Sequence, residues 1–167
     1  MTGVISIDSP VGRLTVVAGG DAITAVHWGD SRRYEPTPLL AEARRQLEAY
    51  FAGQLTAFNL PLRPAGSPFD QRVWAAMRQI PHGKTSSYGE LAHAVDSAPR
   101  AVGGACGRNP IPIVIPCHRV LGRNGLGGYS GGEGLGTKRR LLTLEGAIAG
   151  NDATKQSLTR ETAALHI

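Results

Sequence analysis

The sequence predicts a mixed α/β (α+β) protein in two parts: a small N-terminal antiparallel sheet with a helix, then a mainly helical region with a helix-turn-helix. Three observations carry this. Short apolar runs separated by turn residues open the chain, the apolar spacing becomes helical from Pro38, and a stretch from Pro61 to Pro68 with three prolines and a glycine divides the helical region from what precedes it.

Val4–Ile7, Leu14–Ala18 and Ile23–Trp28 read as strands, because Ser9-Pro10-Val11-Gly12 and Gly19-Gly20-Asp21 between them are turn chemistry. From Pro38 to Phe51, the residues Leu39, Leu40, Ala43, Leu47, Tyr50 and Phe51 recur at helical spacing, and Gly53 ends the run. The proline-rich stretch is the expected boundary between a domain over 1–65 and one over 66–146. Beyond it, helices are expected over Pro68–Gln79, with Phe69, Val73, Trp74 and Met77 on one stripe, and over Ser87–Val95; Ile80-Pro81-His82-Gly83 separates them. Ser97 is suited to cap a further helix that has Pro99 in its first turn and runs through Arg100 to Ala105. Two short helices joined by a tight turn make a helix-turn-helix candidate.

Asn109–Arg119 holds Pro110, Pro112 and Pro116. Such spacing forbids a helix and dictates an extended, kinked path through an apolar run, ending at Cys117-His118-Arg119. Gly125–Gly136 is glycine-rich and reads as a lid, with Tyr129 and Ser130 as its chemically useful side chains. Gly131–Gly136 has the outer spacing of a phosphate-binding loop, but Thr137-Lys138 follows in the wrong order and no strand precedes it. Thr137 is expected to open a last helix through Lys138, Leu141, Leu142 and Leu144 to Glu145, stopped by Gly146. The tail over 147–167 has weak patterning and is expected to be partly disordered.

The 41% apolar content suffices for a real core. No run approaches the ~18 apolar residues of a membrane span, and Met1–Pro10 lacks the layout of a signal peptide, so a soluble, cytoplasmic protein is expected. Two cysteines, Cys106 and Cys117, make neither a disulfide framework nor a CxxC pair. Free thiols, no metal and no cofactor are therefore expected. The net charge of +5 is unevenly placed: residues 1–65 carry six basic and six acidic side chains, and residues 66–146 carry ten and five. The second half alone is suited to meet a polyanion.

Cys117 beside His118 suggests an activated thiolate. In an extended segment, adjacent side chains point to opposite sides, so His118 reaches the thiol only through a bridging water. It then needs a carboxylate to orient it, for which Glu145 on the last helix is suitable.

At this point the motifs combine. Pro116-Cys117-His118-Arg119, with Arg100-Ala101-Val102-Gly103-Gly104-Ala105 and Asn109-Pro110 before it and Gly128-Tyr129-Ser130-Gly131-Gly132 and Leu144-Glu145-Gly146 after it, resembles the O6-alkylguanine-DNA alkyltransferase family. Ser87-Tyr88-Gly89-Glu90-Leu91 and the Val73-Trp74 helix fit as well, so the likeness runs from about Phe69 to Gly146.

The resemblance implies a winged-helix-like second domain that binds double-stranded DNA through the minor groove and flips out an O6-alkylguanine. Arg100 would fill the vacated space, Tyr88 would press on the flanking phosphate, and Ala101, Gly103, Gly104 and Ala105 would let the helix approach the DNA backbone. Cys117 would take the alkyl group irreversibly, one per chain, without a cofactor. Tyr129 would donate a proton to the leaving base, and Ser130, Gly128 and Val120 would line its pocket. Asn109 would hold the turn before the active-site segment, and Glu145, His118 and water would deprotonate Cys117. A monomer is implied, with O4-alkylthymine repair and cooperativity on DNA left open.

The sequence departs from the family in a shorter Gly89–Pro99 stretch and in lacking cysteines for an N-terminal zinc. Cys106 reads as a buried bystander. A damage sensor lacking the cysteine, a sequence-specific regulator and a cysteine hydrolase are the rival readings. Cys117, the glycine- and alanine-lined helix and the position of His118 argue against them in turn.

Overall fold

Short, largely buried apolar runs separated by turns build a three-stranded antiparallel sheet, β1 (Thr2–Ile7), β2 (Leu14–Gly19) and β3 (Ala22–Trp28), in the order β1-β2-β3. The computed structural model describes residues 2–149. The register pairs Val4 with Val17 and Ile7 with Leu14, and a bulge lies at Val17/Ala18. Both edges are covered: Val4 and Glu35 exchange backbone hydrogen bonds of 2.9 and 2.8 Å, and Ile23 bridges to the strand-like segment at Leu62.

Helix α1 (Pro38–Phe51) coincides with the expected helix; Thr37 caps it, accepting from the Leu40 amide. Its buried face carries Leu40, Ala43, Leu47 and Tyr50. Buried Gln46 holds the following loop by donating to the Asn59 carbonyl at 3.0 Å and accepting from its amide at 2.8 Å.

The fold divides into two units. Among the described residues, one comprises 2–65 together with Pro110–Val114, and the other Gly66–Asn109 and 115–149. Assignment of Pro110–Val114 to the first unit differs from the expectation of a continuous second domain. Its physical basis is the Pro110 carbonyl, which accepts from the Val26 amide at 2.9 Å, and the complete burial of Ile111 and Ile113. Ile113 sits at φ 74°, a left-handed conformation costly for a β-branched residue.

In the second unit, α2 (Pro68–Met77) opens with a capping box between Ser67 and Asp70. It ends two residues before the expected Gln79. Trp74, 1% exposed, donates from its indole to the Ala105 carbonyl at 2.9 Å. Helix α3 (Tyr88–Ala94) has its own capping box between Ser87 and Glu90. Helix α4 (Pro99–Gly107) packs against it, forming the helix-turn-helix.

The cap of α4 is Ala98 and not Ser97, with no side-chain hydrogen bond. Pro99 occupies the first helical position, and the Ser97 amide is spent on the Ala92 carbonyl at 2.8 Å, closing the preceding turn. A short parallel pair not foreseen from the sequence, β4 (Ser86–Ser87) with β5 (Val120–Leu121), ties the start of α3 to the residues after Cys117.

Helix α5 (Leu135–Leu144) starts two residues before Thr137, which lies inside its first turn and accepts from the Glu133 amide at 2.8 Å. Ile148, from the expected tail, packs with Leu121 and Leu142; the rest of that tail, 150–167, lies outside the described residues. Among the described residues no helix is long and apolar enough to cross a membrane.

Candidate active site

The apolar, proline-punctuated segment delivers Cys117 into a single turn of 3-10 helix, Cys117–Arg119, where an extended path had been expected. Hydrogen bonds from the Cys117 amide to Ile115 (2.8 Å) and from the Arg119 amide to Pro116 (3.0 Å) fix it. With three residues per turn, neighbouring side chains leave about 120° apart, so His118 still does not share a face with Cys117. Asn109 donates from its amide group to the Ile115 carbonyl at 2.9 Å and also hydrogen-bonds Cys117.

His118 is completely buried, and its Nε2 lies 2.7 Å from Glu145 Oε2. An ionised carboxylate only accepts, so Nε2 carries a proton. Burial lowers the His118 pKa by more than Glu145 raises it, so the ring is neutral at rest and Nδ1 holds the lone pair. That atom is buried without a hydrogen-bond partner among the described residues.

Glu145 also accepts from Arg119 Nε at 2.8 Å and Nη2 at 3.0 Å, and Arg119 Nη1 donates to the Ile80 carbonyl at 2.6 Å. Burial works to raise the Glu145 pKa, but His118 and Arg119 outweigh it and hold the carboxyl well below the usual range.

The thiol of Cys117 is not a resting thiolate. Burial pushes its pKa up, against weaker opposing effects from Asn109 and the Lys138 ammonium. Lys138 is fully buried and donates to the Val120 carbonyl at 2.6 Å and the Gly128 carbonyl at 3.0 Å, joining β5 to the glycine-rich lid. Its ammonium lies 5.7 Å from the centre of the Tyr88 ring. Burial lowers its pKa to about 8.

A cavity of about 300 Å³ is lined by Cys117, Tyr129, Ser130, Gly128, Tyr88, Gly103, Cys106 and Gly107. Burial pushes the Tyr129 phenol far above its ordinary pKa, so it stays protonated. Tyr88 donates to the Gly128 carbonyl at 3.4 Å, and burial pushes its pKa to about 12. Cys106 is half-buried, not fully buried as expected, and forms part of the cavity wall 3.5 Å from the Met77 sulfur; burial pushes its pKa to about 12, which keeps it a neutral thiol.

Beside this cavity, and sharing Tyr88, Gly103 and Gly128 with it, runs a groove of about 770 Å³ that Arg100 also lines. Gly103 faces open space there, whereas a side chain on Gly104 would meet the Arg108 guanidinium at 3.1 Å. Arg108 is bound to Asp70 at 2.8 Å, so Gly104 makes room for that ion pair. Ala101 and Asn109 line neither space. Nor does Val120, which is fully buried, paired with Ser86, and has its carbonyl engaged by Lys138.

Two residues of the site went unassigned from sequence. Arg119 stood in the Cys-His-Arg run itself. Lys138 shares the spacing of Leu141, Leu142 and Glu145 along α5, the signal that it faces inward.

The fold and site define a helix-turn-helix protein with a buried cysteine set beside a His–Glu–Arg network. Family models match both parts: the DNA binding domain of 6-O-methylguanine DNA methyltransferase over residues 68–147, and its ribonuclease-like domain over 4–64. A methylated-DNA--protein-cysteine methyltransferase of Mycobacterium bovis is 46% identical over 160 residues, covering 89% of this chain and 95% of the relative.

The crystal structure of Mycobacterium tuberculosis O6-methylguanine methyltransferase is similar at 43% identity and TM-score 0.78, covering 92% and 98% of the two chains. The Mycobacterium tuberculosis OGT solved in complex with DNA is similar at 46% identity and TM-score 0.76, covering 85% and 91%. The chain belongs to the 6-O-methylguanine DNA methyltransferase family.

Proposed function

We infer that this chain repairs DNA by transferring the alkyl group of O6-alkylguanine to Cys117, once per molecule. Family membership and the DNA complex of a relative support duplex DNA as the partner. The observation that carries the chemistry is the buried Nδ1 of a neutral His118, without a hydrogen-bond partner among the described residues, while Glu145 holds its Nε2. That is a base whose tautomer is fixed and whose charged form has a carboxylate waiting.

The Cys117 proton passes to His118 Nδ1, through water as the path between two faces of the turn requires. The thiolate sulfur forms a bond to the alkyl carbon, the carbon–O6 bond breaks, and its electron pair goes to guanine. Tyr129, kept protonated by its burial, donates to the leaving base, and the proton held by His118 replaces it, so that thiol and alkylguanine become thioether and guanine. A thioether has no ready reverse step, which makes the transfer irreversible. Arg100 and Tyr88 at the groove suit base extrusion, and Ser130 and Gly128 suit the pocket wall. The chain acts as a cytoplasmic monomer.

Incubation with excess duplex oligonucleotide bearing one O6-methylguanine should add a single methyl to the intact mass, mapped to Cys117. Cys117→Ser should bind the same duplex and gain no mass. DNA binding by the unaltered chain with no adduct would convert the reading to a damage sensor.

A further inference from the structure

The groove beside the cavity is lined by Arg100, Arg123, Tyr88, Gly103 and Gly128 among others, and none of its lining residues is a carboxylate. Arg100 stands at the start of α4. Arg123 comes from a separate part of the chain, the tight turn that follows β5, where the Gly122–Gly125 bridge closes around Arg123 and Asn124.

That turn is braced, because Gly122 packs on the Gly127 backbone so closely that an added Cβ would lie 3.0 Å from its Cα. Arg123 is therefore displayed on a supported turn and not on a loose loop. Neither Arg100 nor Arg123 makes a hydrogen bond or ion pair with any described residue, in contrast to Arg108, Arg119 and Arg140 of the same unit, which hold Asp70, Glu145 and Glu133. Two exposed guanidinium groups of separate elements thus face one groove without a counter-charge, and guanidinium pairs best with planar or tetrahedral oxyanions.

We propose that Arg123 binds a backbone phosphate of the DNA strand that delivers its nucleotide to the Cys117 cavity. The assignment rests on the alkyltransferase reading above: if the base enters the cavity past Tyr88, Gly103 and Gly128, which the two spaces share, its own strand lies in the groove. The phosphate is read by charge, so the contact carries register and affinity and no base preference. Arg123 acts on strand position and has no part in the bond-making step.

The test uses the full chain, with Arg123→Ala and Arg123→Lys, and Arg100→Ala for comparison. Binding to a duplex with one O6-methylguanine is titrated between 50 and 200 mM salt, and methyl transfer from O6-methylguanine free base is timed in parallel. Arg123→Ala should weaken binding about tenfold, equally in different flanking sequences, and lower the slope of log K against log salt by about 0.9, the change for one phosphate contact. Arg123→Lys should restore most of both, and the free-base rate should stay within twofold of the unaltered chain.

An unchanged affinity and salt slope in Arg123→Ala, with the unaltered chain active and Arg100→Ala impaired on duplex, would overturn this assignment alone. Absence of transfer and of salt-dependent binding in the unaltered chain would overturn the alkyltransferase reading and this assignment with it. A fall in the free-base rate equal to the fall on duplex would also overturn it, since a phosphate contact is absent from that reaction.

Discussion

Replacing Glu145 by Gln keeps the shape of the side chain and removes its charge. The carboxylate accepts hydrogen bonds at 2.7 Å from His118 and at 2.8 and 3.0 Å from Arg119. Breaking a buried ion pair from one side leaves the other charge without compensation, which costs about 3–5 kcal/mol. Arg119 is 7% exposed, so water relieves little of that cost. With a urea dependence of ~2 kcal/mol per molar, the unfolding midpoint should fall by about 2 M.

Kinetically, His118 loses the group that stabilises its protonated form, and transfer per folded molecule should slow by roughly 10² or more. Methyl transfer is timed by intact mass without denaturant, with folded fraction read by circular dichroism. A merely structural role would leave the pH profile unchanged. Loss of the base predicts partial recovery in the variant as pH rises and hydroxide substitutes for His118.

The acid limb has a definite sign. The Glu145 pKa is held below its ordinary 4.5, so its contribution to stability is complete above about that pH and is lost as pH falls toward the folded value. The Gln variant should lack that part of the acid transition. A transfer rate within twofold of the unaltered chain, per folded molecule and across pH, would refute the relay.

Lys138→Met should raise the apparent pKa of Cys117, read from the pH dependence of its reaction with iodoacetamide, and slow transfer on duplex and free base alike. Because burial lowers the Lys138 pKa to about 8 from 10.5, the unfolded chain holds that proton more tightly; stability from this group rises as pH climbs between those values, and the Met variant should lack the rise. Gly103→Leu should leave the fold as stable as before or raise it by up to ~1 kcal/mol, since the position is helical and faces open space, while transfer from duplex falls at least tenfold. A Tm measurement beside the duplex assay decides it, and parallel movement of the two would contradict the assignment of that space to DNA.

Much of this was legible because local chemistry and tertiary structure agree. The first three strands follow the turn residues, and α1 follows both the apolar period and its flanking Pro38 and Gly53. Cys117, Tyr129 and Ser130 converge on one cavity as the motifs implied. What was not legible depends on contacts remote in sequence. Pairing of Ser86–Ser87 with Val120–Leu121 brings together two dipeptides too short to carry a strand pattern. The Ser97 cap failed because Pro99 fixed the first helical position and left Ala98, without a capping oxygen, before it. Arg119 and Lys138 escaped because charged residues are normally solvated, and only their partners in space, Glu145 and the Val120 and Gly128 carbonyls, make burial tolerable.

That pair of buried cations explains how a thiol that is neutral at rest can act as a nucleophile. Before reaction the site holds Glu145 and Arg119 as a matched pair, a neutral His118, a neutral Cys117 and, below pH 8, a protonated Lys138. Moving the Cys117 proton to His118 leaves the net charge unchanged and separates two new charges, each already provided with a complement. The imidazolium has Glu145 at 2.7 Å, and the thiolate has the field of Lys138.

A permanent thiolate would instead be costly in so buried a position and open to any electrophile that entered. The arrangement ties activation to occupancy of the cavity, where the alkyl carbon consumes the thiolate as it forms. Glu145→Gln and Lys138→Met then act on opposite ends of one proton transfer. Their effects on the transfer rate should combine to less than the product of the two separate losses, whereas full multiplicativity would mean that the two charges serve separate steps.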